Sequence, residues 1–508
     1  MEYKKFKKVV IVGGGTSGWM AAAAIIKAFE GRLKVELIES DNVATVGVGE
    51  ATIPPIRSFN EHLGIDEAEF VRETNATYKL GIDFRGWGSK TGDDCYFHPF
   101  GSYLDKQQSI HFASYWSKLK QIVPEFNWEE YSLTTVAARN NKFSDCTKAK
   151  SFPMKSVGYA YHFDAGLYAK YLRKYSENLG VVRTEGFIKN VTLGSSGEID
   201  KVILESGVEK KGDLYIDCSG FRGLLIEQAL KTGYVDWKEY LPCDRAIAVP
   251  TERAEELPPY TVASTLSSGW MWRIPLQQRF GNGYVYSSDF LSEDQACDEL
   301  LKNLENKPIA DPKFIKFTTG HRKKLWNKNC VSIGLSSSFI EPLESTSIHL
   351  IQSSIHRLIQ LMPEMTDFSN AEETFNQDSI KDITYLRDFI SLHYRECKRD
   401  TPFWSRCGNQ LIESDRLRNK ITAYRQSSYI SCGEEDLFKE ESWFAVMEGQ
   451  GIHAKGATLL SQRLLDLKTL KHQAIEMRTQ ILQSSKLMSS HEKYLERILK
   501  NIENIKCA

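Results

Sequence analysis

Val9-Val10-Ile11-Val12-Gly13-Gly14-Gly15-Thr16-Ser17-Gly18 decides the fold. Lys7 to Val12 reads as a short buried strand that stops at the first glycine. Trp19-Met20 and the alanine run Ala21 to Ala24 follow, and alanine is the strongest helix former. A second strand reads Leu33 to Ile38 and ends at Glu39. The order is strand, glycine turn, helix, strand, acid. Gly13 permits the tight turn, Gly15 lets the backbone approach a pyrophosphate, and Gly18 lets helix and strand pack closely. Thr16 and Ser17 lie between those glycines and belong to the same site. Glu39 lies about 20 residues past the last glycine, where a carboxylate can bind ribose hydroxyls. A GxGxxG alone says little; with strand, helix and acid all in place it reads as dinucleotide binding.

The rest of the chain narrows the class. Its 508 residues suggest more than one domain or a large two-part enzyme. A balance of 65 basic against 66 acidic residues argues against bulk nucleic-acid or membrane-surface binding. Ten cysteines are scattered and no two make a CxxC, so neither a zinc site nor a redox pair is signalled, and no metal is expected. No secretory leader is legible and no stretch approaches a membrane span, so a reducing cytoplasm is the expected compartment.

After Glu39, Val46-Gly47-Val48-Gly49-Glu50-Ala51-Thr52-Ile53-Pro54-Pro55 reads as a mobile strap with a rigid end, or as a plain surface loop. Lys79 follows in Thr77-Tyr78-Lys79-Leu80-Gly81-Ile82-Asp83-Phe84-Arg85-Gly86-Trp87, among aromatic and apolar neighbours. Most lysines are solvated; one in a dry pocket loses basicity and becomes chemically usable. Phe97-His98-Pro99-Phe100-Gly101 lies in a loop-rich aromatic segment that could wall a flat aromatic substrate or form a satellite core. The strands Phe187 to Leu193 and Val202 to Glu205 read as antiparallel. Leu214 to Gly220 reads as a strand running into a small-residue turn. Gly269-Trp270-Met271-Trp272-Arg273-Ile274-Pro275 is an alternating strand with both tryptophans on one face.

Val331 to Leu335 reads as one more buried strand, leading to Glu341-Pro342-Leu343-Glu344-Ser345-Thr346-Ser347. Ile348, Ile351, Ile355, Leu358 and Ile359 then recur at helical spacing. Ser345, Thr346 and Ser347 stand where caps belong. The N–H groups there lack intrahelical partners and can hold a small anion. The ordinary reading is a capped helix. Residues 377 to 398, 410 to 426 and 454 to 505 read as largely helical, with Pro402 and Gly433 marking loops. The last of these helices pack on the body or pair with a second copy.

With Gly13–Gly18, Lys79, the Trp270-x-Trp272-x-Ile274-Pro275 pattern and Pro342-Leu343-Glu344-Ser345-Thr346 all in view, the chain resembles the flavin-dependent tryptophan halogenase family. The likeness runs to about residue 365 and weakens in the helical remainder. It implies an α/β, FAD-binding, glutathione-reductase-like body with antiparallel insertions and a helical C-terminal cap. The expected division is residues 1–365 as the FAD-binding body, with 76–135 contributing to the substrate pocket, and 366–508 as a substrate-side cap.

The resemblance also implies chemistry. Such enzymes take reduced FAD from a separate NAD(P)H flavin reductase and use O₂ and halide to make hypohalous acid, which travels inside the protein to the substrate. Lys79 and Glu344 match the catalytic lysine and glutamate. Thr346 and Ser347 match the halide-holding amides, although the family commonly has glycine where Ser347 stands. Gly49, Glu50, Ala51, Leu335 and Ile348 join the glycine motif as expected cofactor contacts. Trp270 and Trp272 match a barrier between flavin and substrate, and His98 and Phe100 match a pair that sandwiches indole. Trp443-Phe444 stands where halogenases acting on free tryptophan carry hydroxyl-bearing residues, which favours indole or a simple derivative as substrate. Chloride and bromide are not distinguished. A single-component FAD aromatic hydroxylase and a non-catalytic flavin-binding protein are the alternatives.

Overall fold

The structure is a computed structural model that describes residues 5–42, 49–103, 111–464 and 467–506. Val46, Gly47 and Val48 of the expected strap lie outside the described residues. The chain forms two compact units, each gathered from three separated segments. The first comprises Met1–Asn75, Phe163–Lys238 and Phe317–Thr384; the second comprises Ala76–His162, Glu239–Lys316 and Tyr385–Ala508.

The first unit is built on the opening strand. Val9 to Val12 are all buried, as befits a strand covered on both faces. Lys8–Val12 pairs in parallel with Leu214–Asp217 on one side and with Lys34–Glu39 on the other. Cys330–Ser332 and Val182–Glu185 extend the parallel ladder, and Trp326–Asn327 closes one edge antiparallel, making a six-stranded sheet. The glycine turn opens the helix Thr16–Phe29. Its alanines Ala21 to Ala24 are buried, and the small side chains let it pack against Ala165–Asn178 and Ser347–Leu361. The strands Ile188–Leu193 and Ile199–Leu204 are antiparallel, as their sequence indicates.

The expected strand Val331 to Leu335 is shorter than its apolar run. It occupies Cys330–Ser332, because Gly334 takes a left-handed φ of +76° and starts a single turn, Gly334–Ser336.

The second unit centres on a seven-stranded sheet in the order 313–316, 245–252, 279–286, 269–275, 261–266, 81–85 and 95–99. Its neighbours are antiparallel except Thr261–Leu266, which runs parallel to Gly81–Arg85. The short strand Thr77–Lys79 pairs antiparallel with Ala160 to His162. Beyond residue 365 the chain is mainly helical, from Ser369–Glu396 to His491–Lys506. Pro402 does not mark a loop. It is the first residue of helix Pro402–Gln410, where its missing N–H is no loss, and Thr401 caps that end. No helix among the described residues is long and apolar enough to cross a membrane.

Candidate active site

The glycine turn shows why each glycine is there. Gly13 has φ +111°, and a Cβ on it would lie 2.3 Å from the Cys218 carbonyl oxygen. A Cβ on Gly18 would lie 1.9 Å from the Gly13 carbonyl oxygen, which is the close packing expected of it. Gly14, to which sequence reasoning assigned no role, leaves room for the acid: a Cβ there would lie 1.4 Å from Glu39 Oε2. Gly15 differs from these, since a Cβ on it would meet nothing within 4 Å. Gly15 is also the N-cap of Thr16–Phe29 and offers no side-chain cap. The helix end is therefore bare backbone facing open space, which suits a pyrophosphate.

Glu39 stands beside this opening. Arg183 Nε donates to its Oε1 at 2.6 Å, Arg173 lies 3.5 Å from the same oxygen, and Trp19 Nε1 donates to Oε2 at 3.4 Å. Thr16 Oγ1 donates to the Ala165 carbonyl at 3.3 Å, and Ser17 packs under Gly334. Leu335 is half-buried in the turn that follows Gly334. Glu50 sits on the short strand Gly49–Ala51, and desolvation pushes its carboxyl up to about 7. Asp217 carried no sequence signal of its own. It accepts from the Ser219 N–H and hydroxyl with one oxygen, and from the Leu225 and Ile226 N–H groups with the other, so it fixes the return of the chain toward the glycine turn.

Farther along the first unit, Pro342–Glu344 makes a single turn, and Ser345 adopts a left-handed φ of +59°. The helix Ser347–Leu361 begins beyond it. Of Ser345, Thr346 and Ser347, only Thr346 holds the N-cap position, and it makes no side-chain cap hydrogen bond; Ser347 is the first residue of the helix. Thr346 Oγ1 is buried with no hydrogen-bond partner. The helix Ala165–Asn178 behaves differently, with Asp164 accepting from Gly166 and Leu167 N–H groups at 3.0 Å. The Ser347 end thus keeps donors for an anion in a dry setting, since Glu344, Ser345, Thr346 and Ile348 are all buried. Ser347 lies in ordinary helix and has no positive φ, so a serine fits there as well as glycine. His349 follows two positions on; burial first, and then Arg357, hold its imidazole down at about 4.

In the second unit, Lys79 is completely buried, with Nζ 4.9 Å from the centre of the Phe100 ring. Phe100 stands edge-on to His98, centroids 6.4 Å apart. His98 in turn touches Phe389 and Phe438, which stack at 4.1 Å, and Phe389 meets Trp443 at 4.8 Å. Lys79, Phe100, His98 and Trp443 therefore belong to one run of rings. Phe444 does not join it. One residue on is about 100° around a helix, and Phe444 packs instead among Tyr103, Phe112 and Trp128. Phe389 and Phe438 were not foreseen, because they reach the run from a distant helix, Ser369–Glu396, and from the loop before Glu440–Gly449, with no motif around them.

Trp270 and Trp272 share a face of their strand, 6.1 Å apart. Trp272 is opposite Gly283, and a Cβ on that glycine would lie 2.1 Å from the indole ring. The bare glycine lets the ring lie flat across the neighbouring strand.

The sequence profile of the tryptophan halogenase family matches residues 8–464. The chain belongs to the tryptophan halogenase family. It is 37% identical to tryptophan 7-halogenase RebH of Lentzea aerocolonigenes over 484 residues, covering 88% of this chain and 90% of that one. Among solved structures it is similar to Xcc4156, a flavin-dependent halogenase from Xanthomonas campestris, with TM-score 0.93, 40% identity and 97% and 99% of the two chains covered. BrvH, a flavin-dependent halogenase from Brevundimonas sp. BAL3, superposes with TM-score 0.92 at 38% identity over 97% and 99%. This halogenase thus has the α/β flavoprotein fold with a helical C-terminal region that its sequence indicates, and the likeness continues well past residue 365.

Proposed function

We propose that this halogenase uses FADH₂, O₂ and chloride or bromide to place a halogen on an indole-type ring. The observation that carries the reading is Lys79: a fully buried ammonium against Phe100, in a run of rings through His98 and Phe389 to Trp443. Such a lysine can hydrogen-bond hypohalous acid and sharpen the halogen as an electrophile, beside rings suited to a flat substrate. A chloramine on Nζ is the competing route.

The residues present fit FAD. Gly13, Gly15, Thr16, Ser17 and Gly18 would hold its pyrophosphate and Glu39 its ribose, with Gly49, Glu50, Ala51, Leu335 and Ile348 as further contacts. Bound in reduced form, FAD supplies the electrons that convert O₂ and halide into hypohalous acid. Thr346 and Ser347 offer their amides to the halide. Glu344, buried at the turn before them, stabilises the cationic ring and helps take its proton. Trp270 and Trp272 keep substrate from the flavin, which speaks against a single-component hydroxylase. A separate NAD(P)H flavin reductase supplies FADH₂ in a reducing cytoplasm, and the helices within residues 366–508 serve as the substrate-side cap.

Indole or a simple derivative is favoured over free tryptophan. Trp443 and Phe444 bring no hydroxyl, and Glu448, four residues past Phe444 on their helix, is already engaged. Glu448 accepts from Tyr424 Oη at 2.6 Å, from His453 Nδ1 at 2.9 Å and from Trp116 Nε1 at 3.3 Å, which leaves it little to offer an ammonium.

The test is product mass after incubation with FADH₂, O₂ and either halide, with indole beside tryptophan. A one-halogen increment on indole, absent in Lys79→Ala while hypohalous acid still forms, is the expected result. Full ring halogenation by Lys79→Ala would remove the lysine from the chemistry.

A further inference from the structure

The strand that carries Lys79 is only three residues long, Thr77–Lys79, and lies at the edge of a three-stranded sheet. Thr77 and Lys79 point to the same face, two residues apart. Directly across the ladder, Thr77 meets His162. His162 and Thr77 are fully buried and Thr261 nearly so.

Three hydrogen bonds fix the protons in this cluster. Thr77 Oγ1 lies 2.7 Å from the Pro275 carbonyl, which can only accept, so the Thr77 hydrogen goes there. His162 Nδ1 lies 3.0 Å from the same Oγ1 and must therefore be the donor. The neutral ring then has a bare Nε2, and Thr261 Oγ1, 2.9 Å away, donates to it. Burial, and then the charge of Lys79, keep the imidazole unprotonated, with His491 acting in the same sense. A histidine can donate at one end and accept at the other along a rigid ring without adding a second charge beside the ammonium.

We propose that His162 is a positioning residue for Lys79. Its Nδ1–H holds the Thr77 hydroxyl, whose own hydrogen ties the lysine strand to Pro275, the last residue of the strand that carries Trp270 and Trp272, and its Nε2 joins Thr77 to Thr261 of the strand alongside. The ammonium is thereby held in one place relative to the ring run and the tryptophan pair. Geometry of this kind governs how well a reactive species is delivered: a misplacement of about 1 Å can cost about a hundredfold in rate.

The proposal rests on the catalytic reading of Lys79, and the experiment separates the two. Halogenated indole and scavenger-trapped hypohalous acid are measured side by side with flavin oxidation, for His162→Ala, His162→Asn, Thr77→Val and the double variant His162→Ala/Thr77→Val. The expected result for His162→Ala is a fall of about tenfold to a hundredfold in halogenated indole, with flavin oxidation and trapped hypohalous acid unchanged. His162→Asn, which keeps a donor near the Nδ1 position, recovers part of the loss. Thr77→Val matches His162→Ala, and the double variant is no worse than either, as expected of one shared interaction. Should His162→Ala not fold, Thr77→Val, nearly isosteric, carries the test. An equal loss of hypohalous acid and halogenated indole in Thr77→Val, or no loss of halogenated indole, overturns the positioning role. Halogenation that survives Lys79→Ala overturns the reading of Lys79 itself.

Discussion

Acidification should release the lysine strand from its other edge, through His491. The Tyr78 N–H donates to His491 Nε2 at 3.1 Å, and His491 Nδ1 lies 2.8 Å from the Leu257 carbonyl. The carbonyl fixes the hydrogen on Nδ1, so Nε2 is the acceptor. The ring is fully buried and edge-on to Tyr78 and Phe143, rings that both also meet Tyr494. Burial, working against the Leu257 bond and helped by Arg253, lowers its pKa from 6.5 to about 4. The folded value lies below the unfolded one, so the unfolded chain binds the extra proton first. Stability is then complete above pH 6.5 and falls as pH drops toward 4.

Between pH 7.5 and pH 5.0 the loss from this one group is about 2 kcal/mol, since each pH step below the unfolded pKa and above the folded one removes about 1.36 kcal/mol. His491→Gln keeps an acceptor within reach of Tyr78 but cannot titrate. Unfolding free energies from urea titrations at the two pH values, for wild type and His491→Gln, isolate the contribution. Wild type should lose about 2 kcal/mol more than the variant on acidification. Equal losses in the two proteins would show that His491 is not held neutral in the folded state, and the argument would fail.

Two further substitutions probe the glycine turn and the tryptophan pair. Gly14→Ala drives a methyl into Glu39 Oε2, so the acid must leave its place beside the glycine turn; FAD affinity should fall at least tenfold by flavin fluorescence titration, with the melting temperature little changed. Gly283→Val places a side chain 2.1 Å from the Trp272 ring and 2.4 Å from the Ile247 carbonyl oxygen, an overpacking that costs about 1–3 kcal/mol. A lower melting temperature and a shifted tryptophan emission should report the displaced indole, and an unaltered emission spectrum would contradict the contact.

The sequence carried local features well. The opening strand, its turn, the helix and the terminal acid are written in consecutive residues, because a tight turn, a close approach and a buried strand each restrict the residue types that work there. The tryptophan strand and the helix after Ser345 were legible for the same reason: period and capping position are local properties. Where a local rule was overridden, a single backbone angle did it, as when Gly334 ended a strand that its apolar run seemed to prolong. Pro402 opened a helix although its ring marks a break elsewhere in one, since a first-turn position has no N–H bond to lose.

What consecutive residues could not reveal is which distant groups come to share one environment. Phe389 and Phe438 join Trp443 to His98 across some 300 residues of chain, and nothing in the neighbourhoods of those two phenylalanines marks them. His162 lies on the short strand Ala160–Asp164 with no motif around it, yet it faces Thr77 and Thr261 and carries no charge there. Residue type and spacing determined the glycine turn and the family pattern, because those depend on backbone geometry over a few residues. Burial, ring contacts and the proton positions around Lys79 were decided by tertiary packing alone, because desolvation and long-range hydrogen bonds exist only once the strands have assembled.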